Sequence, residues 1–181
     1  MKEQPQGGAF SAFLKRFATT QEPLPPSVSA AQILYRLSEM EEEAALFYEG
    51  LARYADDPWI AGFASKAAAA ERAHHDWYVN AARSLGVGQG EANRTTALPE
   101  EVRQLLRTGI TPRKEAAHKS AVYLGKKDAV DIAIAAEDKT IHLLQQIVPF
   151  VPASQHGIID KVLQEELKHK AALDEFRKTM S

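Results

Sequence analysis

Residues 30–51 read AAQILYRLSEMEEEAALFYEGL, and alternating steps of four and three through them select Ala30, Leu34, Leu37, Glu41, Ala44, Tyr48 and Leu51. That spacing marks the inward stripe of an α-helix. Its middle residue is a carboxylate, although an unpaired charge is costly to bury. The same steps give Ile60, Ala64, Ala67, Glu71, His74, Tyr78, Ala81 and Leu85, then Val130, Ala133, Glu137, Thr140, Leu144 and Ile147, then Ile159, Val162, Glu166, His169, Leu173 and Phe176. Each of four apolar stripes carries a glutamate near its middle.

The boundaries follow from local chemistry. Ser29 reads as the N-cap of a first helix that runs through Tyr54, and Asp56-Asp57-Pro58 ends it and starts the next. The second helix spans about residues 59–85 and stops at Gly86, the residue type that best accepts a left-handed C-terminal cap. A third covers about residues 128–148, Pro149-Phe150-Val151-Pro152 turns the chain, and a fourth covers about residues 156–178. Between the hairpins, residues 87–126 hold Gly88, Gly90, Pro99, Gly109, Pro112 and Gly125, with short helical stretches near 99–107 and 113–124. A connection of this length can travel the length of a bundle, as the crossover of ferritin-like folds does. The expected fold is all-α: a ferritin-like four-helix bundle over residues 29–181, preceded by a mobile leader over residues 1–28. Within the leader, Phe10, Phe13, Leu14 and Phe17 sit at helical spacing. They fit either a short helix packed on the bundle or a docking segment for a membrane surface or partner.

Composition narrows the chemistry. The 181 residues carry a formal charge of −2, which gives no field for nucleic acid or an anionic membrane. There is no cysteine, so disulfides and thiolate metal sites are excluded, and any metal must be held by nitrogen and oxygen. No apolar run reaches the roughly 18 residues needed to span a bilayer, and no secretory h-region is evident, so a cytoplasmic location is the expectation.

Spacing brings the four glutamates to one level. Glu41 and Glu71 lie 30 residues apart, with their midpoint inside the Asp56-Asp57-Pro58 turn. Glu137 and Glu166 lie 29 apart, with their midpoint between Val151 and Pro152. Glu71 and His74, and Glu166 and His169, are three apart and share a helix face. The pattern is glutamate then Glu-x-x-His, twice. Four converging buried carboxylates call for cations, and two metal ions with bridging carboxylates balance their charge. The donor set suits iron, with manganese or zinc also compatible. Glu41, Glu71 and His74 are expected to serve mainly one ion, and Glu137, Glu166 and His169 the other. Tyr48 and Tyr78, on the same stripes, are candidates to hydrogen-bond the ligands or carry electrons, while core packing alone would also explain them. A third Glu-x-x-His, Glu115 to His118, lies in the broken connection without a matching upstream glutamate and reads as solvated surface. Glu42, Glu43, Glu165, His75 and His142 fall off the stripes and also read as surface or as neighbours of the ligands. Trp59, Trp77, Tyr35 and Tyr54 read as packing residues.

The arrangement is the one known for ferritin-like di-metal carboxylate proteins. The segment Glu41–Ala52, the two motifs Ala70–His74 and Glu165–His169, and Ala136–Thr140 resemble the rubrerythrin branch of that superfamily, over roughly residues 29–178. Two departures stand out: Leu144 occupies the place of an expected tyrosine, and the cysteine-bound rubredoxin-like module of the founding type is missing. The resemblance implies a non-haem di-iron oxidoreductase that reduces hydrogen peroxide or dioxygen and is re-reduced by an external electron donor. It also implies a homo-oligomer. The alternative is a ferritin-like iron-binding protein with ferroxidase chemistry, for iron storage or transfer.

Overall fold

The computed structural model describes residues 28–88, 90, 102, 104, 117, 121 and 123–180. The expected leader, most of the connection between the hairpins, and the Glu115 to His118 motif lie outside the described residues. Four long helices are present: α1 (Ala30–Tyr54), α2 (Pro58–Ser84), α3 (Lys126–Ile147) and α4 (His156–Lys178). No strand occurs among the described residues. No helix is long and apolar enough to cross a membrane among the described residues.

The helix ends are set by short-range hydrogen bonds. Ser29 Oγ accepts from the Gln32 backbone N–H at 3.2 Å while Gln32 Oε1 accepts from the Ser29 N–H at 2.9 Å, a capping box that starts α1. Asp57 Oδ1 accepts from the N–H of Trp59 at 2.7 Å and starts α2, with Pro58 in the first turn where its missing N–H costs nothing. Gly86 follows α2 with φ of +75°, a left-handed conformation that glycine accepts without strain. The start of α1 is tied to the turn between α3 and α4, where the Val28 N–H donates to Phe150 O and the Ala30 N–H to Gln155 Oε1.

Helices α1 and α2 form one antiparallel hairpin, α3 and α4 the other, and the hairpins meet through α2 with α3 and α1 with α4. Helix α1 is the most enclosed and buries 14 of its 25 residues, whereas α4 buries three of 23. The apolar core falls into two clusters. One gathers Leu34, Leu37, Tyr78, Leu144, Ile147, Ile159 and Val162. The other gathers Phe47, Tyr48, Leu51, Ile60, Ala64, Ala68 and Ala133. On α2 and α4 the mid-stripe glutamate lies in sequence between the two clusters, and on α1 and α3 it lies about one turn or less from the changeover, so a polar layer sits near their boundary. Across α1 and α2, Arg72 pairs with Glu49 at 2.6 Å and with Glu42 at 2.9 Å, which places Glu42 on the surface.

Several side chains depart from the expected stripe. Phe176 and Leu85 were expected to face the core but are exposed, and so are Trp77 and Tyr54, which were expected to pack. Leu85 is the C-cap of α2, where the helical register ends. Phe176 sits near the end of α4, where its ring stacks beside Trp59 and Phe63 of α2 and lines a cavity instead of entering the core.

Candidate metal centre

In the polar layer, Glu41 and Glu166 are each 2 % exposed and Glu71 is 8 % exposed. The apolar stripes account for this burial, since each glutamate rides inward with its helical neighbours three and four residues away. Glu41, Glu71 and His74 bring one ligand atom each to within 4.8 Å of one another, and His74, Glu166 and His169 do the same. The first set is the trio expected from the spacing. In the second, His74 stands alongside Glu166 and His169 where Glu137 was expected. Glu137 is partly buried and lines the cavity that also exposes Glu71, His74 and His169. The two imidazoles stack with centroids 4.3 Å apart and planes 17° from parallel.

The electrostatics are those of crowded anions in a dry place. Burial raises the Glu41 pKa well above the carboxylate range; Glu71 and Glu166 add to the rise, and His74 offsets part of it. Burial also pushes Glu137 and Glu166 up to about 7, with the Glu71 charge reinforcing the effect on both. For His74, burial opposes the charged form, but Glu41, Glu71 and Glu166 together outweigh it and raise its pKa to about 11. Burial and the His74 charge lower the pKa of His169. Burial and the charges of Glu71, Glu137 and Glu41 hold Tyr48 firmly in its protonated phenol form.

Among the described residues, four buried side-chain polar atoms have no hydrogen-bond partner: Nδ1 of His74, Nδ1 of His169, and the hydroxyls of Tyr48 and Tyr78. His74 Nδ1 is 3.4 Å from a Glu71 oxygen and 3.9 Å from a Glu41 oxygen, close enough for attraction but not aligned as a hydrogen bond. Buried polar groups are rarely left orphaned, and a cluster of orphans calls for a ligand that satisfies them together. A divalent cation does so here, because it accepts the imidazole lone pair and neutralises the carboxylates at once. The residues therefore fit a metal centre held by oxygen and nitrogen.

The residues set aside from the stripes behave as surface. His75 contacts Asp76, exposed His142 contacts Gln146, and Glu165 pairs with Lys168 at 2.7 Å. Tyr35 is buried and donates to Val87 O at 2.9 Å, so its hydroxyl is satisfied, unlike those of Tyr48 and Tyr78. The periodic reading missed the residues that open the site. A cavity of about 580 Å³ runs beside the ligands and is lined by Phe63, Lys66, Ala70 and Ala172 as well as by stripe residues. Trp59, Phe63, Lys66 and Ala70 follow one another at steps of four and three, so a second α2 stripe was present in the sequence, offset by one residue from the first.

No family model, curated protein or solved structure matches the chain. The functional reading therefore stands on the centre itself.

Proposed function

We propose that this protein is a rubrerythrin-like, non-haem di-iron oxidoreductase of ferritin-like architecture that reduces hydrogen peroxide or dioxygen. The observation that carries the reading is the layer of buried Glu41, Glu71 and Glu166 with His74 and the half-exposed His169, Glu137 at its edge and both imidazole Nδ1 atoms unpartnered. Glu41, Glu71 and His74 would hold one iron, and Glu166 and His169, with His74 in reach and Glu137 at the edge, would hold the second; manganese or zinc are the other metals this donor set accepts. Bound iron would supply the electrons that reduce a small oxidant.

The chain's own residues do the rest. The apolar clusters keep bulk water from Glu41 and Glu166, while Glu71 and Glu137 line the cavity. The buried, unpartnered hydroxyls of Tyr48 and Tyr78, on the ligand stripes, are available to donate a hydrogen bond at the site. Glu137 faces the cavity; in the metal-free chain its pKa of about 7 lets it carry a proton near neutral pH, and metal would take the place of that proton. Without cysteine, the chain cannot build a thiolate iron centre as an internal electron source, so turnover calls for an external donor.

Stopped-flow mixing tests the proposal. Chemically reduced, iron-loaded protein should consume hydrogen peroxide in one fast burst and stop, and a rubredoxin-like or flavin-based donor should convert the burst into turnover. Rapid oxidation by dioxygen with growth of a ferric mineral would replace this reading with iron storage. An unreactive metal site would leave only a structural role.

A further inference from the structure

The cavity beside the ligands is far larger than peroxide or dioxygen requires. Its roughly 580 Å³ lies in the range of sites that take drug-sized organic molecules. It follows α2 from Trp59 to His74 and α4 from Phe176 back to His169, about 22 Å along the α2 axis. One end carries the carboxylates and imidazoles. At the other end, Trp59, Phe63 and Phe176 have centroids 5.6, 6.1 and 6.4 Å apart and planes within 9° of parallel. Three nearly equal separations make a triangle; in a column the outer pair would stand at about twice the inner spacing. Three parallel rings in a triangle, each pair stacked with an offset, form an aromatic platform whose π-faces share one direction. Lys126 holds its ammonium 5.7 Å from the Trp59 ring centroid without lining the cavity, which helps fix that ring. Lys66 is exposed on the cavity wall, with no ion pair to it among the described residues.

We propose that this cavity binds a small planar aromatic molecule bearing an anionic group, its ring against the Trp59–Phe63–Phe176 platform and its charge at Lys66. Flat π-faces favour offset stacking on parallel rings, and a saturated chain gains no such geometry-dependent term. The ammonium of Lys66 sets the sign of the ligand's charge and, lying on α2 between the aromatic platform and the carboxylates, sets the direction in which the charged group points. The site goes beyond the proposed oxidoreductase reading and stands on the cavity walls alone.

The test uses 2-naphthalenesulfonate, whose sulfonate coordinates metal only weakly, on full-length protein that is either zinc-loaded or chelator-treated. The chain has two tryptophans, and Trp77→Phe identifies the Trp59 indole N–H signal in a proton–nitrogen spectrum. Saturable movement of the Trp59 signal, with Trp77 unmoved, is the expected result. Phe176→Ala should weaken binding roughly two- to tenfold, as expected for one aromatic partner. Lys66→Glu, a change at an exposed residue that leaves the fold intact, should weaken it at least about threefold. Octane-1-sulfonate should bind more weakly than the naphthalene probe. No saturable Trp59 shift, indifference to both substitutions, or equal affinity for the octane probe would each overturn the proposal. Metal content measured on the same samples separates it from the metal centre: loss of probe binding at full zinc load speaks only to the cavity, and loss of zinc with probe binding kept speaks only to the centre.

Discussion

His74 is the residue on which the centre turns. It belongs to both sets of converging ligand atoms, whereas His169 belongs to one. His74→Ala should therefore reduce metal content from about two ions per chain, the number ferritin-like sites hold, to well below one. His169→Ala should retain about one, held by Glu41, Glu71 and His74. Glu165→Ala, one residue from Glu166 but paired with Lys168 on the surface, should leave the content unchanged. Elemental analysis after gel filtration reads all three, and equal losses in the two histidine variants would contradict two overlapping ligand sets. Among the side chains beside the ligands, Tyr48 and Tyr78 have buried, unpartnered hydroxyls, while Tyr35 has a carbonyl to bond. A tyrosine kept only for packing loses little by conversion to phenylalanine, and Tyr78→Phe should be at least as stable as the parent in a thermal melt because it removes an unsatisfied buried hydroxyl.

At the scale of elements, the capping chemistry carries its own forecast. Ser29→Ala removes the side-chain half of the capping box on α1, and Asp57→Ala removes the cap of α2; each should cost about 1 kcal/mol in denaturant unfolding. The same locality explains why these boundaries were legible. Ser29 with Gln32, Asp57 with Pro58, and Gly86 act within one turn of chain, so sequence alone places the first two helices to within a residue. The third helix begins at Lys126, ahead of the residue 128 expected, because the Asp128 carboxylate reaches back to the Gly125 N–H at 3.0 Å. The positions of the site glutamates were legible for a related reason: a buried stripe interrupted by a charge is visible in a period of 3.6. What a stripe cannot report is how two hairpins pack together. Their packing leaves Phe176 exposed and a cavity beside Glu137, His74 and His169 that Phe63, Lys66 and Ala70 also line. It joins segments far apart in sequence, and no local pattern encodes it.

At the scale of the whole molecule, the polar layer couples folding to protons and to metal. Without metal, the folded chain meets the crowding of carboxylates by binding protons, which is why Glu137 and Glu166 are raised to about 7 and Glu41 well above its ordinary value. A carboxyl whose pKa is raised by folding contributes stability that is fully present below its unfolded pKa and is lost as pH rises through its folded pKa. For Glu137 and Glu166 that window runs from 4.5 to about 7. His74, raised from 6.5 to about 11, adds a loss of the same sign that begins at 6.5. Glu166 alone, 2 % exposed, accounts for on the order of 3 kcal/mol across its window, and coupling within the cluster keeps the others from simply adding. Chelator-treated protein should therefore melt on the order of 10 °C lower at pH 8 than at pH 5. Metal takes the place of those protons, so the loaded protein should lose far less over the same interval. Loading at pH 6.5 should release protons, measurable as a calorimetric enthalpy that varies with the ionisation enthalpy of the buffer. A metal-free melting temperature that rose between pH 5 and pH 8, or metal uptake with no proton release, would mean that the four glutamates do not share one buried layer.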